Sequence, residues 1–137
     1  MKVYVKEVTL STRSAFELVD ITHHVEAAVE ESGVKNGICL VFAPHATAAI
    51  IANEHELGLM DDMLTLIKRL YPRGAGWKHD RIDDNAHAHL GSALIGADRV
   101  FPVVNGRLVR GTWQNIFLVE MDGPRSRRRI LIEIMGE

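Results

Sequence analysis

The sequence predicts an α+β fold with a largely antiparallel sheet, in a single domain over residues 1–137. Short apolar runs typical of strands outnumber the two or three segments with helical spacing. The pair Asn105-Gly106 between two such runs is the strongest short-range signal of a hairpin. Most links between the runs are too short for the crossover connections that parallel strands need. With 47% hydrophobic residues, a chain of this length can bury a core without metal or disulfide staples.

The first elements are predicted to be a strand and a helix. Residues 3–10 contain spaced valines, and the charged residues between them would form the exposed side of a strand. Residues 16–20 are expected to continue this strand. A helix is then predicted to begin at Asp20 or Thr22, since both side chains are good N-caps. Gly33 has the position of its C-terminal stop.

Two buried strands and a second helix are predicted next. Residues 38–43 and 47–52 are short apolar runs that suit strands buried on both faces. Because Pro44 interrupts them, His45 is expected at a bend between the two strands. The following apolar residues are spaced three, four and three apart, which is the pattern of a helix face: Leu57, Met60, Leu64 and Ile67.

The last part of the chain is predicted to hold a polar loop, a third helix and four strands. Residues 77–84 are polar and loop-like, and Asn85 can cap a helix that ends at Gly96. The predicted strands are residues 100–104, 107–113 and 116–121, with alternating isoleucines in a closing strand at 130–134.

Composition excludes several classes of function. A net charge of −2 and a pI near 6.4 argue against a protein that coats nucleic acid or an anionic membrane. One cysteine excludes an intrachain disulfide framework and a cysteine-rich zinc finger, and it fits a reducing compartment, so we expect a cytoplasmic protein. Cys39 itself lies in a predicted buried strand and is expected to be an inert core thiol. No apolar segment reaches the roughly 20 residues that span a bilayer, and the start of the chain lacks the apolar stretch of a signal peptide.

Seven histidines are the unusual feature of the composition. With a single cysteine, any metal site would need histidine and carboxylate ligands. The chain contains no glycine-rich phosphate loop, no nucleophile elbow and no His-Glu-x-x-His helix. The candidate functional residues of the sequence therefore lie at four places: His45, the acids between Glu54 and Asp62, the loop from His79 to His89, and residues 112–114.

Six short stretches, five of them at these places and one at the end of the strand predicted at 116–121, carry a resemblance to a known family. They are His45-Ala46-Thr47, Asn53-Glu54-His55-Glu56, His79-Asp80, Asp84-Asn85-Ala86-His87-Ala88-His89-Leu90, Gly111-Thr112-Trp113-Gln114 and Glu120-Met121-Asp122-Gly123-Pro124-Arg125. In this order, over essentially the whole chain, they resemble the YjbQ-like family, some members of which are described as secondary thiamine-phosphate synthases. The resemblance implies a bifurcated, barrel-like sheet, a homotrimer and a histidine-lined pocket for a phosphorylated small molecule.

The resemblance also implies roles for individual residues. It places His45, His79 and His89 in the pocket, where a role as metal ligands is inferred from the chemistry of three histidines, and it maps Glu54 and Asp62 to acids of the family. His45, His89, Glu54 and Asp62 are the candidate catalytic residues. Substrate contacts are implied for Thr47, Asn53, Asn85, Thr112, Trp113, Gln114 and Arg125. Asp80 departs from the family, in which asparagine commonly follows the loop histidine, and the loop up to Asn85 looks slightly shortened.

Three neutral imidazoles from separate elements could bind one divalent metal such as zinc and leave a position open for water or a phosphate oxygen. The carboxylates of Glu54 or Asp62 could orient them. The same histidines could instead act as general acids and bases. His87 and His89 are two apart on a helix and point about 200° from each other, so one of them is expected to face elsewhere. The resemblance favours His89 for the pocket.

Several residues have simpler interpretations. His23, His24 and His55 are expected on helix surfaces without a role, and Asp61 on the wet face of the second helix. Trp113 is interpreted as a core or interface residue in preference to a stacking platform. The basic run of Arg125 and Arg127 to Arg129 is typical of a solvated strand edge, although it could clamp a phosphate or reach the pocket of a neighbour in a trimer.

The function hypothesis is a small enzyme that joins hydroxymethylpyrimidine diphosphate to a thiazole phosphate with release of pyrophosphate, as the resemblance implies. The alternative is a metal- or metabolite-binding trimer without turnover, and a third reading is a structural or partner-binding trimer. Nucleic-acid binding ranks last, because one arginine run on a chain of net charge −2 gives little electrostatic attraction for nucleic acid.

Overall fold

Two antiparallel sheets built from eight strands curl into a half-barrel, and three α-helices pack against them. A computed structural model describes the whole chain, residues 1–137. The strands are β1 Lys2–Leu10, β2 Glu17–Asp20, β3 Gly37–Phe42, β4 Ala48–Asn53, β5 Asp98–Val104, β6 Arg107–Leu108, β7 Asn115–Glu120 and β8 Arg128–Gly136. The helices are α1 Thr22–Ser32, α2 Leu57–Leu70 and α3 Ala86–Ile95, and a 3₁₀ turn spans Lys78–Arg81.

The five-stranded sheet has the order β1-β8-β3-β5-β6, and the three-stranded sheet has the order β2-β7-β4. Every neighbouring pair is antiparallel. The α+β class and the antiparallel sheet predicted from the sequence are therefore confirmed. None of the helices combines the length and the apolar composition that a membrane-spanning helix requires.

Strand β7 lies between two hydrophobic clusters. Ile116 and Leu118 pack in the larger cluster, which includes residues of α1, while Phe117 and Val119 pack in the smaller one, which includes residues of α2 and α3. All four side chains are completely buried. Burial on both faces explains why this strand is a continuous apolar run in the sequence.

The predicted C-terminal ends of α1 at Gly33 and of α3 at Gly96 agree with the structure, and the predicted start of α3 at Asn85 differs in the residue that caps it. Gly33 ends α1 with a φ of +69°, a left-handed conformation that glycine adopts without strain. Asn85 does occupy the N-cap position of α3, but its side chain makes no capping bond. The carboxylate of Asp80 accepts the hydrogen bond from Ala86 N instead, at 3.0 Å.

Two predicted strand boundaries are wrong. Residues 16–20 do not continue β1, because Glu17–Asp20 pairs with β7 in the other sheet. The strand predicted at 107–113 is only the two residues of β6. Its remainder turns away from the sheet, where Gln114 Oε1 accepts a bond from Gly111 N and Arg110 Nη1 donates to Gln114 O.

Candidate functional site

The pairing of β4 with β7 separates the predicted site residues into two groups. Ala48 pairs with Glu120 at one end of the pair, and Asn53 pairs with Asn115 at the other. Five residue steps of about 3.4 Å put these ends about 17 Å apart. We call them the Glu120 end and the Asn115 end.

The two groups do not meet within one chain. Residues bonded to the elements at the Glu120 end include His45, Thr47, Asn85 and Arg125, and α3 brings His89 to the same side. Residues at the Asn115 end are Asn53, Glu54, Thr112, Trp113 and Gln114. Asp62 belongs to neither group, since it lies on the exposed face of α2.

His79 and His89 come together on the side of the Glu120 end. Their ring centroids are 4.7 Å apart in an edge-to-face arrangement. The 3₁₀ turn carries His79, and it is tied to the start of α3 by the bond from Ala86 N to Asp80. Both rings line a cavity of about 580 Å³ together with Trp77 and Lys78, which we call the His79–His89 cavity. The cavity thus combines two imidazoles with one primary amine.

His45 makes a different contact. Its Nε2 accepts a hydrogen bond from the backbone N–H of Arg129 at 2.8 Å. Burial lowers the pKa of His45, and the neighbouring charge of Arg128 lowers it further. A neutral imidazole whose Nε2 accepts this bond carries its proton on Nδ1. His45 therefore ties the bend before β4 to the start of β8.

No group of three or more His, Cys, Asp or Glu side chains in the chain could hold a metal ion. A single chain therefore does not assemble the predicted metal set of His45, His79 and His89. His79 and His89 would supply two ligands of such a site, and metal binding stays a prediction.

A buried ion pair that the sequence did not indicate lies next to His45. Glu120 is completely buried, and its Oε1 accepts bonds from Arg128 Nε at 2.9 Å and from Thr12 Oγ1 at 2.7 Å. Arg128 Nη2 also contacts Glu120 Oε2 and donates to Thr47 Oγ1 at 2.9 Å. Burial opposes ionisation of Glu120, but the bonds from Arg128, Thr12 and Asp122 N hold its pKa below the usual value.

The interpretation of the basic run as a solvated strand edge is wrong for Arg128. Arg128 is 4% exposed and holds a buried carboxylate, whereas Arg125, Arg127 and Arg129 are exposed. The hydroxyl of Thr47 is likewise engaged with Arg128. Arg128 is thus not available as part of a phosphate clamp.

Arg125 is held at the mouth of the Glu120 end by Asp122. Arg125 Nη2 donates to Asp122 Oδ2 at 2.7 Å, and Asn85 Nδ2 donates to the same oxygen at 2.9 Å. Burial opposes ionisation of Asp122, but the bonds from Asn85 and Arg125 keep its pKa below the usual value. The side chain of Arg125 remains 50% exposed, so its guanidinium can reach a ligand.

His87 and His89 face different surroundings, as the helical spacing predicted. His87 is 1% exposed, lies beside Phe16 and has its Nε2 at 3.1 Å from Met121 O. Its Nδ1 and the Oδ1 of Asn85 are buried without a partner in the chain. His87 is therefore an interior residue, and His89 is the one that reaches the cavity.

The Asn115 end has its own cleft. A cavity of about 400 Å³ is lined by Glu54, His55, Glu56, Thr112, Trp113 and Asn115, and we call it the Trp113 cleft. Trp113 is 71% exposed, so the core position considered for it is wrong, while an interface position stays a prediction. Asn53 Oδ1 accepts a local hydrogen bond from Glu54 N, and Gln114 Oε1 accepts one from Gly111 N.

The sequence interpretation also missed a partner of His55. Its Nδ1 lies 2.6 Å from Asp20 Oδ2, although the two residues are 35 positions apart. His55 was expected to be a surface residue without a role. Only the pairing of β2 and β4 with the two edges of β7 brings the two residues together.

Comparison with known proteins gives a consistent result along the whole chain. A family model described as "UPF0047 protein YjbQ-like" matches residues 6–137. A UPF0047 protein of Archaeoglobus fulgidus is 48% identical over 125 residues, covering 91% of this chain and 97% of the relative. One from Methanothermobacter thermautotrophicus is 43% identical over 137 residues, covering 100% of this chain and 95% of the relative.

Solved structures agree with the sequence relatives. A YbjQ-like protein of unknown function from Sulfolobus solfataricus P2 is 65% identical and superposes with a TM-score of 0.98, covering 99% of each chain. A hypothetical protein from Aeropyrum pernix K1 is 45% identical with a TM-score of 0.94, covering 97% of this chain and 98% of the other.

Proposed function

Because the chain belongs to the YjbQ-like UPF0047 family, we propose that it is a small enzyme that acts on phosphorylated small molecules in the His79–His89 cavity. The reaction we propose joins hydroxymethylpyrimidine diphosphate to a thiazole phosphate and releases pyrophosphate, forming thiamine phosphate. This reaction is taken from the secondary thiamine-phosphate synthases that the sequence resembles. The alternative, binding of a metabolite or metal without turnover, uses the same cavity.

The pairing of His79 with His89 is the observation that supports the proposal most strongly. Two imidazoles 4.7 Å apart offer donors to neighbouring oxygens of a diphosphate. Lys78 lines the same cavity and adds a positive charge for the leaving pyrophosphate. An imidazole positioned in this way can also protonate the leaving oxygen, a contribution that is typically about 100-fold or more in rate.

Arg125 supports the same assignment, because Asp122 links it to the start of α3. Its guanidinium is oriented by Asp122, which in turn is bonded to Asn85 next to the start of α3. Guanidinium groups bind phosphate oxygens with two parallel bonds. We therefore assign Arg125 to the second phosphate of the reaction, and we assign Asn85 to its positioning.

The homotrimer implied by the resemblance is part of the proposal. In such a trimer the exposed Arg127 would reach the cavity of a neighbouring chain, as would Arg129 on release of its ion pair with Glu7, which measures 3.3 Å. A divalent metal would likewise need a ligand from outside one chain, because His45 Nε2 is engaged with Arg129 N. Elemental analysis of untagged protein tests the metal: stoichiometric zinc supports it, and absence after gentle purification contradicts it.

The test of the proposed reaction is an assay of thiamine phosphate formation from its two substrates. We expect activity in the wild type and a loss of about 100-fold or more in kcat/KM for His89→Ala and His79→Ala. His24→Ala is the matched control, since His24 lies on α1 beside His23 and outside the cavity. Equal activity of His89→Ala and wild type would contradict the site. Absence of turnover in the wild type, with retained binding of thiamine phosphate, would favour the alternative.

A further inference from the structure

A trough between α2 and β5 is the largest cavity of the chain, at about 940 Å³. Its walls are mostly apolar, with Met63, Leu66 and Leu70 on α2 and Val100 on β5. Leu66, Leu70 and Val100 are exposed to water by 54%, 59% and 54%. Exposed apolar side chains gathered around one cavity are typical of a binding site. We call this cavity the Arg99 trough, after a cation in its wall.

Arg99 supplies a positive charge that is fixed in position. Its Nη1 donates to Asp98 O at 2.7 Å, and its Nη2 donates to Ile95 O at 2.9 Å. Both partners are neutral carbonyl groups, so no carboxylate of the chain compensates the charge. A guanidinium group has more N–H donors than these two bonds use. Arg99 is therefore an oriented cation with donors left for an anion.

The remaining polar lining adds no negative charge. No Asp or Glu side chain lines the trough. The other cation of the lining, Arg110, is engaged elsewhere, since its Nη2 lies 3.6 Å from Glu26 Oε2 on α1 and its Nη1 donates to Gln114 O. The trough thus combines one uncompensated positive charge with an apolar surface. Charge complementarity favours a ligand that has an apolar body and one anionic group.

The shape of the apolar surface favours an unbranched ligand. Met63 and Leu70 lie two turns apart on α2, which is a distance of about 10 Å. Leu66 lies between them on the same wall of the trough. Apolar contact therefore extends over the length of a medium-length alkyl chain, and each methylene group that leaves water adds to the affinity.

We propose that the Arg99 trough is a binding site for an aliphatic carboxylate of medium chain length. The alkyl chain lies along α2, and the carboxylate accepts hydrogen bonds from Arg99. Asn53 and Gln114, for which the resemblance implies substrate contacts, also line the trough, but they supply neither its cation nor its apolar surface. This site is independent of the proposed reaction, because the trough shares no residue with the His79–His89 cavity.

The probe for this proposal is octanoate, with octanol and octylammonium as a neutral and a cationic analogue. The methyl signals of the methionines are followed by NMR. We expect a saturable shift of the Met63 signal with octanoate and about 3- to 5-fold weaker binding of octanol, as for a partly exposed ion pair. Octylammonium should bind still more weakly, because it brings a second positive charge next to Arg99.

Met135 is the internal control of this titration, because it lies on β8 outside the trough. A Met63 signal that does not shift with octanoate would overturn the proposal. An equal shift of Met135 would do the same, since it would show unspecific association with apolar surface. Octylammonium that binds as tightly as octanoate would contradict the role of Arg99.

Substitution of the cation separates the charge from the apolar surface. Arg99→Gln should weaken the binding of octanoate about 3- to 5-fold and leave the binding of octanol unchanged. Arg69→Gln is the matched control, since Arg69 is exposed on α2 and does not line the trough. Equal octanoate affinity of Arg99→Gln and wild type would contradict the assigned contact.

A second pair of variants tests the apolar wall. Leu66 and Leu57 are exposed leucines of α2, but only Leu66 lines the trough. Leu66→Glu should weaken octanoate binding at least about 5-fold, because it adds a like charge next to the carboxylate, whereas Leu57→Glu should not change it. Equal affinities of the two variants would contradict the site. A Met63 signal that moves with protein concentration and not with octanoate would overturn the proposal in favour of a second copy of the chain in the trough.

Discussion

Arg128 lies directly against Glu120 in the interior of the half-barrel, and its guanidinium contacts both oxygens of the carboxylate. The two side chains are 5% and 0% exposed. A buried ion pair stabilises the fold little more than a well-packed apolar pair does, but removal of one partner leaves an uncompensated buried charge. The pair also connects β8 to β7, since Arg128 begins β8 and Glu120 ends β7.

Substitution of Arg128 tests the energetic weight of this pair. Arg128→Met should lower the free energy of unfolding by about 3–5 kcal/mol, because Glu120 stays buried without its cation. Arg127→Met, at an exposed neighbouring position, should change it by less than about 0.5 kcal/mol. Urea denaturation of both variants measures the difference. Equal stabilities for the two variants would show that the pair is not closed in solution.

The carboxylate of Asp20 predicts a pH dependence of stability. Burial opposes ionisation, but the bonds from Thr22, Asn115 and His55 lower its pKa in the folded chain to about 2, below the ordinary value of 3.8. Ionised Asp20 therefore stabilises the fold above pH 3.8, and this contribution is lost as the pH falls towards 2. Because the group is partly exposed, we expect only about 1 kcal/mol from it. The difference in the free energy of unfolding between wild type and Asp20→Asn should be constant near neutral pH and should narrow as the pH falls from about 4 to 2. A difference at pH 2 as large as that at neutral pH would contradict this assignment.

Cys39 should be unreactive in the native protein. It is completely buried, and burial raises the pKa of its thiol to about 12. A thiol reagent at pH 8 should therefore modify almost no protein until denaturant is added, and then one thiol per chain. Rapid modification of the native protein would contradict the burial of β3.

Gly37 is expected to be intolerant of a side chain. A Cβ there would lie 2.0 Å from the carbonyl oxygen of Met135, so Gly37→Ala must displace β8. We expect a loss of about 3 kcal/mol or more. Gly74→Ala is the comparison, since its Cβ would meet no atom and only its φ of +68° is unfavourable, at a cost of about 1–2 kcal/mol. Thermal denaturation of both variants gives the order of their stabilities. Similar melting temperatures would contradict the close contact of Gly37 with Met135.

Local chemistry made parts of the fold predictable. The turn at Asn105-Gly106 has both residues at positive φ, as its dipeptide demands, and Gly33 ends α1 in the same way. The apolar spacing of Leu57, Met60 and Ile67 also located α2. In these cases the information lies within a few residues of the feature it specifies.

The arrangement of the site residues could not be predicted in the same way. Asp20 and His55 meet only because β2 and β4 lie on either side of β7, and that strand order is not encoded in local spacing. The same strand register separates the motif around Asn53 from the motif around His89. Arg128 shares a basic run with three exposed arginines, and only its partner Glu120 distinguishes it. Sequence reasoning therefore identified many of the polar side chains but not their grouping.

The central claim, that the His79–His89 cavity binds the phosphate groups of a substrate, is tested most directly by a crystal structure with bound inorganic pyrophosphate. We predict electron density for pyrophosphate within hydrogen-bond distance of His79 and His89, and loss of that density in His89→Ala. Pyrophosphate bound elsewhere on the chain, or a cavity that stays empty at saturating concentration, would contradict the claim.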